Sequence, residues 1–126
     1  MMPKKHQRGT LYWRLQWGDR PFYGWLQQIG LTPAKSLTLG ALSIPDQYFA
    51  DFFRGCIDGD GSIHAYTDRS HTSKNPKYVY ERLYVSLVSA SPMFLDWIRG
   101  SVRRLIGING STHIKSRGRN PVYCLR

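Results

Sequence analysis

The chain has 126 residues, of which 41% are hydrophobic, so it suits one folded domain with its own core and excludes a disordered tail. Its 18 Lys and Arg residues outnumber 8 Asp and Glu, and the formal charge of +10 favours a polyanionic partner, nucleic acid being the commonest. A basic protein without such a partner is the alternative. The sequence has no basic amphipathic helix, membrane span, secretory signal or zinc-ligand spacing, so we expect a soluble intracellular protein that binds no membrane.

The first part of the chain predicts a strand and a helix. Residues 9–17 are rich in aromatic and β-favouring residues, which predicts the strand. After a polar turn, Pro21 suits the first turn of a helix that ends near Gly30. The apolar side chains of this helix recur every three or four positions, namely Phe22, Trp25, Leu26 and Ile29. Residues 31–40 predict a loop or a short extended segment.

A second helix is predicted to begin after Ser43 and to run to about Gly59. Ser43 is a suitable N-cap, and Pro45 suits the first helical position. Asp46 complements the positive end of the helix dipole. These three residues together predict the helix start.

The rest of the chain predicts two strands, a third helix and a hairpin. Strands over residues 62–66 and 78–89 flank a polar turn. A helix over residues 91–107 starts at a Ser-Pro pair and is closed by a glycine. Residues 110–126 predict a hairpin whose turn lies at residues 117–120.

A strand followed by a helix occurs twice along the chain. Within this unit, residues 9–30 shifted by 72 positions pair with identical residues at five places, which indicates an internal duplication. The identical pairs are Leu11 and Leu83, Tyr12 and Tyr84, Leu15 and Leu87, Phe22 and Phe94, and Trp25 and Trp97.

Residues 53–61, with the sequence FRGCIDGDG, carry the most chemistry. Gly55 in mid-helix costs about 1 kcal/mol relative to Ala, and close packing of another helix would account for it. Asp58 and Asp60 fall at the predicted C-terminus of the helix, where the dipole disfavours negative charge. Two acids there favour a bound divalent cation. The same residues are equally typical of an ordinary turn.

This segment resembles the LAGLIDADG motif of homing endonucleases. The stretch that leads into it, over residues 35–63, is similar to that of bacterial and intein-associated members, and the resemblance covers residues 10–126. The positions that match the motif itself are Gly55, Ile57, Asp58, Asp60 and Gly61.

The resemblance implies an α+β fold in which a mixed or antiparallel sheet forms a saddle, with helices packed on one face. It also implies that two motif helices, from two repeats or two subunits, pack at a two-fold axis. The residues expected at that helix interface are Gly55, Gly59, Phe52 and Cys56. In a monomer we expect an uncovered apolar patch that includes Phe49 beside Phe52 and Cys56.

The activity implied by the resemblance is site-specific hydrolysis of double-stranded DNA with Mg²⁺ or Mn²⁺. Asp60 takes the place of the family's metal-binding catalytic acid, and Lys35 is a second catalytic candidate. A solvated loop lysine is the alternative for Lys35. Ser89 and Ser91 lie where the family carries polar residues near the catalytic centre, although strand-end and cap roles explain them equally.

The expected DNA-binding residues follow from strand alternation and from the basic groups of the sequence. They are Ser62, His64, Tyr66, Arg69, Lys74, Lys77, Arg82, Lys115, Arg117 and Arg119.

The chain departs from the family pattern because it has one motif, whereas a complete enzyme needs an acid from each of two helices. We therefore expect a partial copy, with residues 1–40 as the C-terminal remnant of a first repeat and residues 41–126 as a second repeat truncated at its C-terminus. A second repeat would come from homodimerisation or from a missing N-terminal half. The alternative function is a DNA- or RNA-binding module that does not cut, such as a transcription factor or an intron maturase. The expected location is cytoplasmic, or organellar if an organelle intron encodes the chain.

Overall fold

The structure is a computed structural model that describes residues 2–5 and 11–126. Its first two strands, β1 (Met2–Lys5) and β2 (Leu11–Arg14), pair antiparallel in a two-stranded sheet. The strand predicted over residues 9–17 is therefore shorter. Residues 9 and 10 lie outside the described residues, and residues 15–17 are not part of a strand.

Helix α1 spans Arg20–Gln28, close to the prediction. Asp19 is its N-cap and accepts a hydrogen bond of 2.8 Å from the backbone N–H of Phe22. Pro21 lies in the first turn, where its missing N–H leaves no bond unmade. The segment predicted as a loop after α1 contains a short 3-10 turn over Lys35–Leu37.

Helix α2 spans Asp46–Asp60, and its N-cap residue is Pro45, which offers no side-chain cap. The prediction that Ser43 caps this helix is wrong. The backbone N–H of Ser43 instead donates to the carbonyl of Ile29 at 2.9 Å, so Ser43 joins the chain before α2 to the end of α1. Pro45 occupies the N-cap position, because the fixed φ and the absent N–H of proline suit a helix start that has no capping side chain.

The remaining elements form a second sheet and a third helix. Strands β3 (Gly61–Asp68), β4 (Tyr80–Ser89), β5 (Thr112–Ser116) and β6 (Val122–Leu125) form an antiparallel sheet in the order β3-β4-β6-β5. Helix α3 (Pro92–Ile106) lies between β4 and β5 in the sequence. These elements bear out the predicted strands, helix and hairpin, and the chain is an α+β protein.

The core lies where α2 and α3 pack on one face of the four-stranded sheet. Leu95 and Ile98 of α3 are fully buried. Four aromatic rings join the two helices, with Phe49 edge-on to Trp97 at 5.8 Å and Phe52 edge-on to Phe94 at 6.5 Å between ring centroids. Such edge-to-face pairs add to the stabilisation from burial.

The packing of this core shows that the expectation of an uncovered apolar patch on α2 is wrong. Phe49 is only 5% exposed, so its ring is covered by the chain's own core. Phe52 and Cys56 are half-buried and pack against the same cluster. The helix period explains this, since residues 49, 52, 53 and 56 share one face of α2 and α3 already covers that face.

The two strand–helix units of the duplicated pattern are packed differently. Phe22 and Trp25 of α1 stack with ring centroids 5.8 Å apart, and Phe94 and Trp97 of α3 are separated by the same 5.8 Å. Four residues of α3 are buried, but none of α1 is, and Trp25 is 50% exposed. The local arrangement is thus repeated, whereas its burial is not.

Candidate functional site

The end of α2 opens into a cleft of about 520 Å³ that also borders the 3-10 turn and the end of β4. The polar residues of its lining are Lys35, Ser36, Asp60 and Ser89, and Cys56 lies beside them. The two residues that sequence reasoning selected as catalytic, Asp60 and Lys35, therefore line one cleft. Apolar side chains of the core form its floor, among them Leu87 and Phe94.

Asp60 is the last residue of α2, and its side chain is exposed. No basic residue occupies the last turn of this helix, so the carboxylate meets the negative end of the helix dipole without a neutralising neighbour on its own helix. Burial raises the pKa of the Cys56 thiol, and the negative charge of Asp60 raises it further. Cys56 therefore stays protonated at neutral pH and is not a nucleophile.

Lys35 enters the cleft from the 3-10 turn and is half-buried. Its carbonyl accepts hydrogen bonds from the backbone N–H groups of Thr38 (3.0 Å) and Leu39 (2.8 Å), which close the turn. Ala34 precedes it with φ of 54°, in the left-handed region that residues other than glycine rarely adopt. The turn that presents Lys35 is therefore a conformation held by its surroundings.

Ser89 and Ser91 differ in what they offer to the cleft. Ser89 lines it, and its Oγ accepts a hydrogen bond of 3.1 Å from the backbone N–H of Ser91. Ser91 is completely buried, and although it occupies the N-cap position of α3 its side chain does not cap that helix. The Ser91 hydroxyl donates instead to the carbonyl of Leu39 at 2.5 Å.

The structure separates the four residues expected at a helix interface. A Cβ built on Gly55 or on Gly59 would meet nothing within 4 Å, so the glycine side of α2 is open. Phe52 and Cys56 lie on the side of α2 that packs on the core. Gly61 differs again, since a Cβ there would lie 2.6 Å from the Cα of Ile57.

Four of the expected DNA-binding residues share one face of the β3–β4 hairpin. Residues directly opposite each other in an antiparallel pair point to the same side. Ser62 pairs with Ser86, His64 with Tyr84, and Tyr66 with Arg82, so the alternation places Ser62, His64, Tyr66 and Arg82 together. All four are exposed.

Sequence reasoning missed three further residues of this exposed face. Tyr84 stacks on Tyr66 with ring centroids 5.9 Å apart, and the guanidinium of Arg126 lies 5.0 Å over the Tyr84 ring. Arg82 lies 5.4 Å over the ring of Tyr80. The pairing register was the missing signal, because it brings Tyr84 opposite His64 and Tyr80 opposite Asp68, on the face that carries the selected residues.

The other expected DNA-binding residues lie at opposite ends of the four-stranded sheet. Because β3 and β4 pair over eight residues, their connecting turn lies about 24 Å from the cleft end of the sheet. Arg69, Lys74 and Lys77 belong to that turn, and all are exposed. The pairing of Ser89 with Tyr123 places the β5–β6 turn at the cleft end instead. Lys115, Arg117 and Arg119 lie on or beside this second turn and are exposed too.

Asp60 is a single carboxylate at its site. In the described part of the chain, no three side chains of His, Cys, Asp or Glu form a group that could hold a metal ion. Mg²⁺ is commonly held by one or two carboxylates together with water and substrate phosphate oxygens. Asp60 therefore fits as one ligand of such an ion, alongside water and phosphate oxygens.

Comparison with protein-family models and with curated proteins finds no match to this chain. Within residues 2–5 and 11–126, no helix is both long and apolar enough to cross a membrane.

Proposed function

We propose that this protein is a metal-dependent, site-specific DNA endonuclease of the LAGLIDADG type, in which Asp60 is a ligand of Mg²⁺ or Mn²⁺. The main support for this proposal is the cleft that Asp60 and Lys35 both line. It combines a carboxylate for a hard cation with an ammonium for a phosphate, at the end of a sheet with exposed polar and basic residues. Those are the groups that phosphodiester hydrolysis uses.

The sheet supplies the surface on which the duplex would lie. Its exposed face carries hydroxyl, imidazole and guanidinium groups, the side chains that read base edges in the major groove. Basic residues at both ends of the sheet would contact phosphates along the duplex. Arg82 and Arg126 are already held over tyrosine rings, so less side-chain entropy is lost when they bind DNA.

In the proposed reaction each cleft residue has a separate role. A bound Mg²⁺ would activate water and offset charge on the phosphate. Asp60 binds the cation at the end of α2, where its carboxylate has no cation on its own helix to neutralise it. Lys35 faces the same space and stabilises the negative charge that develops on the phosphate oxygens. Ser89 orients water or phosphate by hydrogen bonding.

A second carboxylate would reach this centre on a second motif helix. The open side of α2 at Gly55 and Gly59 lets another helix backbone approach closely, as interfaces of small residues do. That helix would come from a second copy of this chain or from another chain that carries the motif. The glycines would then set the distance between the two acids.

The aromatic side chains of the sheet support a second candidate function. Exposed tyrosines that stack across strands, such as Tyr66 with Tyr84, also suit the stacking of unpaired bases. A DNA- or RNA-binding module that does not cut is therefore the alternative, acting as a transcription factor or an intron maturase.

The test uses the full chain and a pool of DNA duplexes with randomised sequence, incubated with Mg²⁺ or Mn²⁺. Cleaved ends are captured by ligation, and the recovered duplex is then used for kinetics. Asp60→Asn should lower the cleavage rate at least about 100-fold, because several kcal/mol of charge stabilisation are lost. Affinity for the duplex should stay within about tenfold. Asp58→Asn is the matched control, since Asp58 is exposed on the same helix but does not line the cleft.

The outcomes separate the two candidate functions. Unchanged cleavage by Asp60→Asn would remove Asp60 from the site. Binding without any cleavage, at concentrations where the chain assembles, would favour the non-cutting module. In either function the logarithm of affinity should fall with the logarithm of salt by about 0.9 per phosphate contacted. Affinity that does not change with salt would exclude nucleic acid as the partner.

A further inference from the structure

A buried hydroxyl links the start of α3 to the turn that carries Lys35. Ser91 has no exposed surface, and its Oγ donates to the carbonyl of Leu39, 52 residues earlier in the chain. The hydroxyl is the donor in this bond, and its oxygen accepts no hydrogen bond from the first turn of α3, although Ser91 occupies the N-cap position. The hydroxyl therefore makes a tertiary contact and does not cap its own helix.

Leu39 is in turn hydrogen-bonded to Lys35. The backbone N–H of Leu39 donates to the carbonyl of Lys35 at 2.8 Å, and that of Thr38 donates to the same carbonyl at 3.0 Å. The turn begins after Ala34, whose φ of 54° is strained for a residue with a Cβ. A strained turn persists only when neighbouring structure holds it, and Ser91 provides a directed bond of that kind.

Ser91 also contacts a second polar residue of the cleft lining. Its backbone N–H donates to the Oγ of Ser89, which lines the cleft together with Lys35 and Asp60. One buried residue thus bonds both to Leu39, whose N–H closes the Lys35 turn, and to Ser89 of the cleft lining.

We propose that Ser91 is a positioning residue that holds Lys35 in the cleft that Asp60 also lines. This inference rests on the proposed nuclease function, since it assigns a purpose to the placement of Lys35. Ser91 itself touches no substrate because it is buried. It acts through Lys35, and a displacement of about 1 Å at a reacting centre can cost about 100-fold in rate.

The first experiment needs no catalytic activity. Hydrogen exchange of the Thr38 and Leu39 amides is measured in the full chain and in Ser91→Ala. Loss of the anchor should speed exchange at both amides about tenfold, while the amides of α2 keep their protection. Ser101→Ala is the matched control, because Ser101 is also buried in α3 but makes no hydrogen bond to the turn. Unchanged exchange at the two amides in a folded Ser91→Ala protein would overturn the proposal.

A second variant covers the case in which Ser91→Ala does not fold. Ser91→Cys keeps a weaker donor of similar size. Its exchange at Thr38 and Leu39 should be faster than in the unchanged protein by about threefold. Exchange equal to that of the unchanged protein would show that the donated hydrogen bond does not hold the turn.

The second experiment is a double-mutant cycle on the duplex recovered from the randomised pool. Ser91→Ala should lower kcat about tenfold with KM within about twofold, because the binding surface on the sheet is unaltered. In a Lys35→Met background the same change should cost less than about threefold more, since only a displacement of Ser89, which bonds to the backbone N–H of Ser91, then remains to lower the rate. An equal loss in both backgrounds would assign Ser91 a general structural role. If the unchanged protein cleaves no duplex, the proposed function fails, and the exchange result alone decides whether Ser91 holds the turn.

Discussion

Replacing Gly55 by Ala should stabilise the isolated chain. Gly55 lies in the interior of α2, and a Cβ added there meets nothing within 4 Å, so the methyl group fits without any shift. Glycine in a helix interior costs about 1 kcal/mol relative to alanine, because the unfolded chain loses more freedom on folding. The free energy of unfolding should therefore rise by about 1 kcal/mol, which for a chain of this size raises Tm by about 4 °C.

Two further substitutions make this measurement specific to the open side of α2. Ala50→Gly, at an exposed position of the same helix, should lower the free energy of unfolding by about 1 kcal/mol. Gly61→Ala should also destabilise the chain, by about 1 to 3 kcal/mol, because its Cβ would lie 2.6 Å from the Cα of Ile57. Urea denaturation followed by circular dichroism measures all three changes.

Assembly should respond to Gly55→Ala in the opposite direction. If another helix packs on the glycine side of α2, the added methyl group separates the two backbones and weakens association by about tenfold, or about 1.4 kcal/mol. Sedimentation at matched concentrations measures this, and Ala50→Gly should leave association unchanged. A Gly55→Ala protein that is less stable as a monomer would refute the open geometry of α2. Unaltered association would refute the glycines as the docking site.

Two other predictions concern the helices. Arg104 donates hydrogen bonds to both carboxylate oxygens of Asp46 and holds its pKa below the ordinary 3.8. The stability that this pair contributes is therefore present above pH 3.8 and is lost as the pH falls through the lower pKa of the folded state. When the urea midpoint of unfolding is plotted against pH, Arg104→Met should flatten the curve in this acidic range. Trp97→Ala should lower the free energy of unfolding, measured by urea denaturation, by about 3 kcal/mol. Trp25→Ala removes a half-exposed ring and should lower it by about 1 kcal/mol or less. Equal losses would contradict the unequal burial of the two strand–helix units.

The elements of the fold could be predicted where their signals are local. Asp19 and Pro21 fix the start of α1 by a side-chain cap and a fixed φ, both of which act within one turn. Gly107, with φ of 73°, ends α3 in the same local way. The prediction that Ser43 caps α2 was wrong for the opposite reason. The backbone of Ser43 bonds to Ile29 across a loop, and the neighbouring sequence does not indicate such a nonlocal bond.

The candidate site was only partly accessible from the sequence. Asp60 stands out because two acids end a helix, and strand alternation selects Ser62, His64 and Tyr66. Lys35 and Asp60 line one cleft through tertiary packing of segments that are distant in the sequence, and no residue pattern specifies that placement. Tertiary packing also decides which side of α2 is covered, since both sides of that helix carry residues that could face another helix.

The distribution of acids gives a last reason to regard the end of α2 as functional. This helix contains four of the eight acidic residues of a chain with a formal charge of +10. Among the ion pairs of the described residues, α2 contributes only Asp46, at the end where the helix dipole already favours an acid. Asp58 and Asp60 stand at the other end, where the dipole disfavours them and no basic residue of the last helical turn compensates. In a protein with 18 basic residues, one lysine or arginine in that last turn would relieve the repulsion, and the lack of one there supports the proposal that Asp60 binds a metal ion.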